Sequence, residues 1–137
     1  MKIQLDEGAM PPYKKRLEDA GYDLASNETV TIKAHKSVVI DTGVHMAIPD
    51  GYYGDIRSRS GLNIKHQVFV PNGTVDCGYT GSIKVRLYNF SDEDYDITQG
   101  DRIAQIVLTP YANRDMVRVP KLDDTDRGGK GFGSSGR

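Results

Sequence analysis

The sequence predicts a single all-β domain, and three observations predict it. Fifteen glycines and six prolines break the 137 residues into short apolar runs, the punctuation of a sandwich or barrel. Turn signals recur between those runs, at Pro49-Asp50-Gly51, Asn72-Gly73 and Gln99-Gly100-Asp101. Ile83, Val85 and Leu87 alternate with Lys84, Arg86 and Tyr88, a period of two that marks a half-buried strand.

Each element follows in order. Residues 2–5 read as an opening strand, and residues 8–18 as a polar, proline-bearing loop with a solvated basic run at Lys14, Lys15 and Arg16. Ala20-Gly21-Tyr22-Asp23-Leu24 is a glycine bend that delivers an acid to a strand edge. Residues 30–32, 37–40, 43–48 and 52–56 are further strands. The stretch 63–66 is too short for more than one helical turn, and residues 67–70 lead into an Asn72-Gly73 hairpin. Asp92-Glu93-Asp94 is an exposed acidic turn. In the run 102–108, Ala104, Ile106 and Leu108 share one face and Gln105 points the other way. From residue 123 the chain is rich in Gly, Ser and Asp, too polar to fold without something to order it. The division is therefore a domain at 1–122 and a flexible C-terminal segment at 123–137.

Composition narrows the function. A net charge of −1 supplies no basic field for nucleic acid. No apolar run reaches membrane-spanning length, and the opening Met1-Lys2-Ile3-Gln4-Leu5 leads into acids, so a cytoplasmic protein is expected. A single cysteine, Cys77, rules out an internal disulfide framework and suits a reducing compartment. His35, His45 and His66 lack metal-ligand spacing.

The chemistry gathers at Pro71-Asn72-Gly73-Thr74-Val75-Asp76-Cys77-Gly78-Tyr79-Thr80-Gly81. One carboxylate, Asp76, and one ring, Tyr79, sit between glycines, an arrangement able to hold a small planar molecule; a solvated surface turn has the same letters. Arg59-Ser60-Gly61 offers a bidentate cation, a hydroxyl and an unobstructed amide to a phosphate. The tail carries Arg127 and Gly131-Phe132-Gly133-Ser134-Ser135-Gly136. Its glycine spacing matches a dinucleotide fingerprint, but no βαβ unit surrounds it and no lysine makes it a phosphate loop. It is a linker remnant or a mobile flap; Phe132 favours the flap.

Taken together, these pieces resemble the trimeric dUTPase family. Five motifs match in order: Ala20-Gly21-Tyr22-Asp23-Leu24; Arg59-Ser60-Gly61-Leu62 with Lys65-His66; Gly73-Thr74-Val75-Asp76 with Gly78-Tyr79-Thr80-Gly81; Gly100-Asp101-Arg102-Ile103-Ala104-Gln105; and Arg127-Gly128-Gly129 with residues 131–136. The resemblance implies a jelly-roll-like β-clip fold, a homotrimer with three shared sites, and hydrolysis of dUTP to dUMP and pyrophosphate. It implies Asp76 as general base, Tyr79 against the deoxyribose, and the stretch Asn72, Gly73, Thr74 and Val75 reading uracil, with Lys84 beside it. Arg59, Ser60, Gly61 and Gln105 would hold phosphate oxygens. Arg127, Gly133, Ser134 and Ser135 would close on the terminal phosphate while Phe132 covers the base. Mg²⁺ would ride on phosphate oxygens and waters, with Asp23 in its outer shell. Two departures stand out: Val70 where the family usually has Asn, and Ser135 where Thr is more usual.

Two other readings are weighed. A dCTP deaminase would need a catalytic Glu on the strand after Gly81, and residues 82–89 contain no acid. A regulatory, phage-type member would use the charged loops 8–18 and 91–95 to bind a protein partner.

Overall fold

β-Branched residues at alternate positions favour extended chain, and the computed structural model is built mainly of short strands over its described residues, 1–129 and 131. Strands β1 (Ile3–Leu5), β2 (Tyr22–Ala25), β3 (Val30–Ile32), β4 (Ser37–Asp41), β5 (Val44–Met46) and β6 (Tyr52–Arg57) precede a helix, α1 (Ser60–His66). Strands β7 (Val68–Phe69), β8 (Gly73–Val75), β9 (Lys84–Asn89), β10 (Tyr95–Ile97) and β11 (Arg102–Pro110) follow. Antiparallel pairing gives one sheet in the order β2-β11-β6-β8, a second in the order β4-β9-β7, and the ribbons β1-β5 and β3-β10.

The inner faces of these sheets meet in one core. Leu24, Ile40, Val85, Leu87 and Ile106 are fully buried there, each stabilising the fold by about 1.5–3 kcal/mol. On β9 the expected alternation holds: Val85 and Leu87 point inward while Lys84, Arg86 and Tyr88 face outward. The buried Asn89 ends that strand with its amide satisfied, donating to the carbonyls of Ile32 at 3.0 Å and Glu93 at 2.7 Å. It thereby pins the acidic turn, where Asp94 accepts Lys33 at 2.7 Å and Asp92 meets His35 at 2.8 Å.

Four expectations change. The pairing of β11 with β2 slips between Arg102 and Ala104, and this bulge sends both Ile103 and Ala104 into the core. The helix is seven residues long and begins at Ser60, earlier than the sequence suggested. It ends on Gln67 in the left-handed region, φ 54°, whose N–H reaches Asn63 O and Leu62 O. Asn72-Gly73 does not make a tight hairpin. Neither residue has a positive φ, and β8 pairs with β6 rather than with β7. The link 70–72 instead carries the chain from one sheet to the other. Finally, β10 was not anticipated; it pairs with β3 from Tyr95↔Ile32 to Ile97↔Val30.

Beyond Tyr111 the described chain forms neither strand nor helix, and Met116, Val117 and Leu122 stand exposed. Among the described residues, no helix is long and apolar enough to cross a membrane.

Candidate active site

Asp76 is positioned by the end of β8. Val75 is buried and pairs with Gly54 of β6, so the next residue is where the chain leaves the sheet, with its side chain exposed. The Tyr79 N–H donates to Asp76 O at 3.1 Å, closing a turn four residues long. The Tyr79 hydroxyl donates to Ser82 O at 3.0 Å, which folds the ring back over Gly81. Glycine is required there, because a Cβ would stand 2.6 Å from the ring's Cζ. Asp76 and Tyr79 thus line one cleft of 240 Å³ with Thr74, Val75, Ile83 and Lys84.

That turn is fastened from behind. The Ser82 hydroxyl donates to the Asp41 carboxylate, which also accepts the Gly43 N–H at 2.9 Å. Lys84 Nζ lies 3.8 Å from Asp41 Oδ2. Burial pushes the Asp41 carboxyl up, but the Ser82 and Gly43 hydrogen bonds and the charges of Lys84 and His45 outweigh it and hold it below the usual carboxylate range. Cys77, half-buried, sets its Sγ 3.8 Å from the Tyr111 hydroxyl, joining the turn to the start of the extended segment.

A second cluster forms around Asp23. Pairing of β2 with β11 sets Asp23 opposite Gln105, and β11 with β6 sets Gln105 opposite Arg57. Asp23 Oδ1 accepts Arg59 Nε at 3.0 Å, and Oδ2 accepts Arg102 Nη1 at 3.2 Å. Arg59 Nη1 also donates to the Arg102 carbonyl at 2.8 Å. One carboxylate between two guanidiniums fixes their geometry and leaves these three groups with one positive charge in excess, which Asp101 faces across the same cleft. Arg59 and Arg102 line a cleft of 420 Å³ with Leu62, Tyr95, Ile97, Gly100, Asp101 and Ile103. Burial and then the Asp101 charge push the Tyr95 phenol up, against the pull of Arg59, and keep it protonated.

Gln105 shapes the approach to Arg59. Its Nε2 donates to Ser58 O at 3.0 Å, and its Oε1 lies where a Cβ on Gly21 would come within 2.5 Å. The Ser58 hydroxyl in turn donates to Val70 O at 3.1 Å and accepts Val70 N at 2.8 Å. The Val70 side chain is buried in the core, so the usual Asn is replaced by a packing residue. Ser60 and Gly61 are exposed on the first turn of α1, which has neither a side-chain cap nor an acid. Asn72 is exposed beside Gly73. Arg127 is exposed near a turn in which the Gly128 N–H donates to Thr125 Oγ1 at 3.1 Å. Phe132, Gly133, Ser134 and Ser135 lie outside the described residues.

The structure therefore brings together Asp76, Tyr79, Thr74, Val75 and Lys84, and separately Asp23, Arg59 and Gln105. No residue lines both clefts. Sequence reasoning missed Arg102, although a cation opening an apolar run was a visible signal. Among the described residues no three His, Cys, Asp or Glu side chains gather as a metal-ligand set, and both Asp23 oxygens are engaged by arginines.

The dUTPase family model matches residues 6–136. The chain belongs to the dUTPase family. It is 44% identical over 140 residues to the deoxyuridine 5'-triphosphate nucleotidohydrolase of Nautilia profundicola, covering 100% of this chain and 99% of that protein. It is 42% identical to that of Paramecium bursaria Chlorella virus 1 over 97% of this chain and 94% of that one. Among solved structures, the Staphylococcus bacteriophage 80alpha dUTPase with dUPNHPP superposes with a TM-score of 0.92 at 32% identity, covering 99% and 98% of the two chains. A dUTPase from phage phi11 of S. aureus, described as coordinating a structural Mg(II) ion, matches with a TM-score of 0.84 at 28% identity over 90% and 98%. As a dUTPase-family chain it has its third motif in the Asp76 cleft, and its first, second and fourth motifs meet at Asp23.

Proposed function

We propose that this chain hydrolyses dUTP to dUMP and pyrophosphate, limiting uracil incorporation into DNA and supplying dUMP for dTMP synthesis. The observation that carries the reading is Asp76 sharing one small cleft with Tyr79, in a chain of this family. Asp76 takes a proton from a water as its oxygen bonds to the α-phosphorus. The bond from that phosphorus to the bridging oxygen breaks, and pyrophosphate leaves with the electron pair. Tyr79 packs on the deoxyribose, and the backbone at 72–75 reads the uracil edge. Charge developing on the phosphates is met by Arg59, held in advance by Asp23, so that little reorganisation is left for the reacting state. Arg127 and the residues 131–136 close over the nucleotide and exclude water.

Mg²⁺ arrives as part of the substrate, on phosphate oxygens and waters. The working form is a homotrimer, supported by the family and by the disjoint clefts, since a cyclic assembly lets one subunit's Asp76 face another's Arg59. We place the enzyme in the cytoplasm. Pyrophosphate release from dUTP, dCTP, dTTP and UTP, with and without Mg²⁺, tests the reaction. Turnover confined to Mg-dUTP is expected, and similar rates on all four would overturn it. Sedimentation at micromolar concentration decides the trimer.

A second reading adds a regulatory role. It is favoured by the likeness to phage 80alpha dUTPases described as controlling transfer of virulence genes, at a TM-score of 0.92 and 31% identity. A partner protein that still binds Asp76→Asn would establish it.

A further inference from the structure

His45 stands on β5, outside all five motifs, yet it contacts the turn that carries Asp76 and Tyr79. Its Nδ1 lies 2.8 Å from the Thr80 carbonyl oxygen and its Nε2 lies 3.1 Å from Asp6 Oδ1. Both partners are obligate acceptors, a carbonyl and a carboxylate. A neutral imidazole carries one N–H and can serve only one of them; the imidazolium serves both. The ring is the more enclosed partner, with 21% of its side chain exposed against 48% for Asp6, so the two contacts hold an imidazole that is largely covered while its acceptors stay open to solvent. The main chain reinforces the arrangement: β5 pairs with β1 through Gln4↔His45, and the Asp6 N–H donates to Gly43 O at 2.9 Å.

We propose that His45 is a positioning residue of the nucleotide site, tying the Thr80 carbonyl, and with it the Asp76–Tyr79 turn, to the carboxylate of Asp6. The proposal rests on the dUTP reading of that cleft. Thr80 directly follows Tyr79, and the ring of Tyr79 is fixed at its far end by Ser82, so the turn is held at three points: Thr80 by His45, Tyr79 by the Ser82 carbonyl, and the Ser82 hydroxyl by Asp41. Releasing the first leaves the ring and the base free to shift relative to a bound sugar.

Two carboxylates near the ring favour its protonated form, Asp6 after β1 and Asp41 at the end of β4, while Lys84 of β9 beside Asp41 and Lys2 in the same groove oppose it. The Thr80 carbonyl first, then the Asp6 hydrogen bond, raise the imidazole above its ordinary value against a smaller effect of burial, with Asp6 and Asp41 adding charge attraction. A raised folded-state value stabilises the closed turn fully below the ordinary histidine range, about pH 6.5, and the benefit is lost as pH rises through the folded value.

The test combines imidazole titration by NMR with pH profiles of dUTP hydrolysis for the wild-type chain, His45→Gln, His45→Phe and Asp6→Asn. The wild-type ring should titrate above about pH 6.5, and Asp6→Asn should lower that midpoint. The wild-type KM for dUTP should rise through the same midpoint while kcat changes less. His45→Phe should show a KM raised about tenfold at low pH with the inflection gone. His45→Gln, which can still donate to Thr80, should fall between them, also without an inflection. A ring that titrates at or below the ordinary value, or a His45→Phe profile that overlays the wild type, overturns the proposal. A wild-type chain inert toward dUTP would overturn the underlying reading instead, and the ring titration, which needs no substrate, tells the two failures apart.

Discussion

Asp23 accepts Arg59 Nε at 3.0 Å from a strand 36 residues earlier in the chain, and this one contact ties the first motif to the second. The same carboxylate holds Arg102, so Asp23 acts first as a spacer between two cations. Asp23→Asn keeps the shape but loses the charge that aims Arg59. Charge-assisted bonds of this kind contribute about 1.5–3 kcal/mol, so KM for dUTP should rise roughly tenfold or more. A KM within twofold of wild type would mean that Arg59 is aimed by the Arg102 carbonyl alone.

Gly21 leaves room for the folded side chain of Gln105, whose Oε1 would lie 2.5 Å from an added Cβ. Gly21→Ala should displace Gln105, release the Ser58 carbonyl and cost about 1–3 kcal/mol in urea unfolding. Activity should fall with it, because Ser58 precedes Arg59. A stable and fully active alanine variant would remove Gln105 from the support of the site.

Asp76→Asn keeps the size and exposure of the side chain but cannot take a proton from water. Its kcat should drop by about 10²–10⁴ with little change in nucleotide affinity, read by single-turnover kinetics and calorimetry with a non-hydrolysable analogue. Retained kcat would move the base elsewhere.

Acid should loosen the same turn by way of Asp41. Its folded carboxyl lies below the ordinary range, so its contribution is complete above about pH 4 and is lost as pH falls through the folded value. The gap in thermal midpoint between wild type and Asp41→Asn should therefore be present at neutral pH and close in stronger acid. A gap that persists unchanged at low pH would rule out the carboxylate as its source.

How much of this could be read from residues alone depends on how local each feature is. The period of two in β9 is set by neighbours in sequence and survives intact. Asp76 and Tyr79 share a turn, so their partnership is visible three residues apart. The Asn72-Gly73 dipeptide misleads because a hairpin needs its two strands to be partners, and β8 finds its partner in β6. The left-handed cap at Gln67 carries no glycine to announce it. The Asp23–Arg59 pair and the His45–Thr80 contact join distant stretches, and only the sheet register brings them together.

The chain has a single thiol, and it stands one position from Asp76, partly open to solvent and close to Tyr111. A maleimide dye added to the unaltered protein would attach at that position alone, giving an optical reporter next in sequence to Asp76 without mutagenesis. Quenching on nucleotide addition would then follow occupancy in real time.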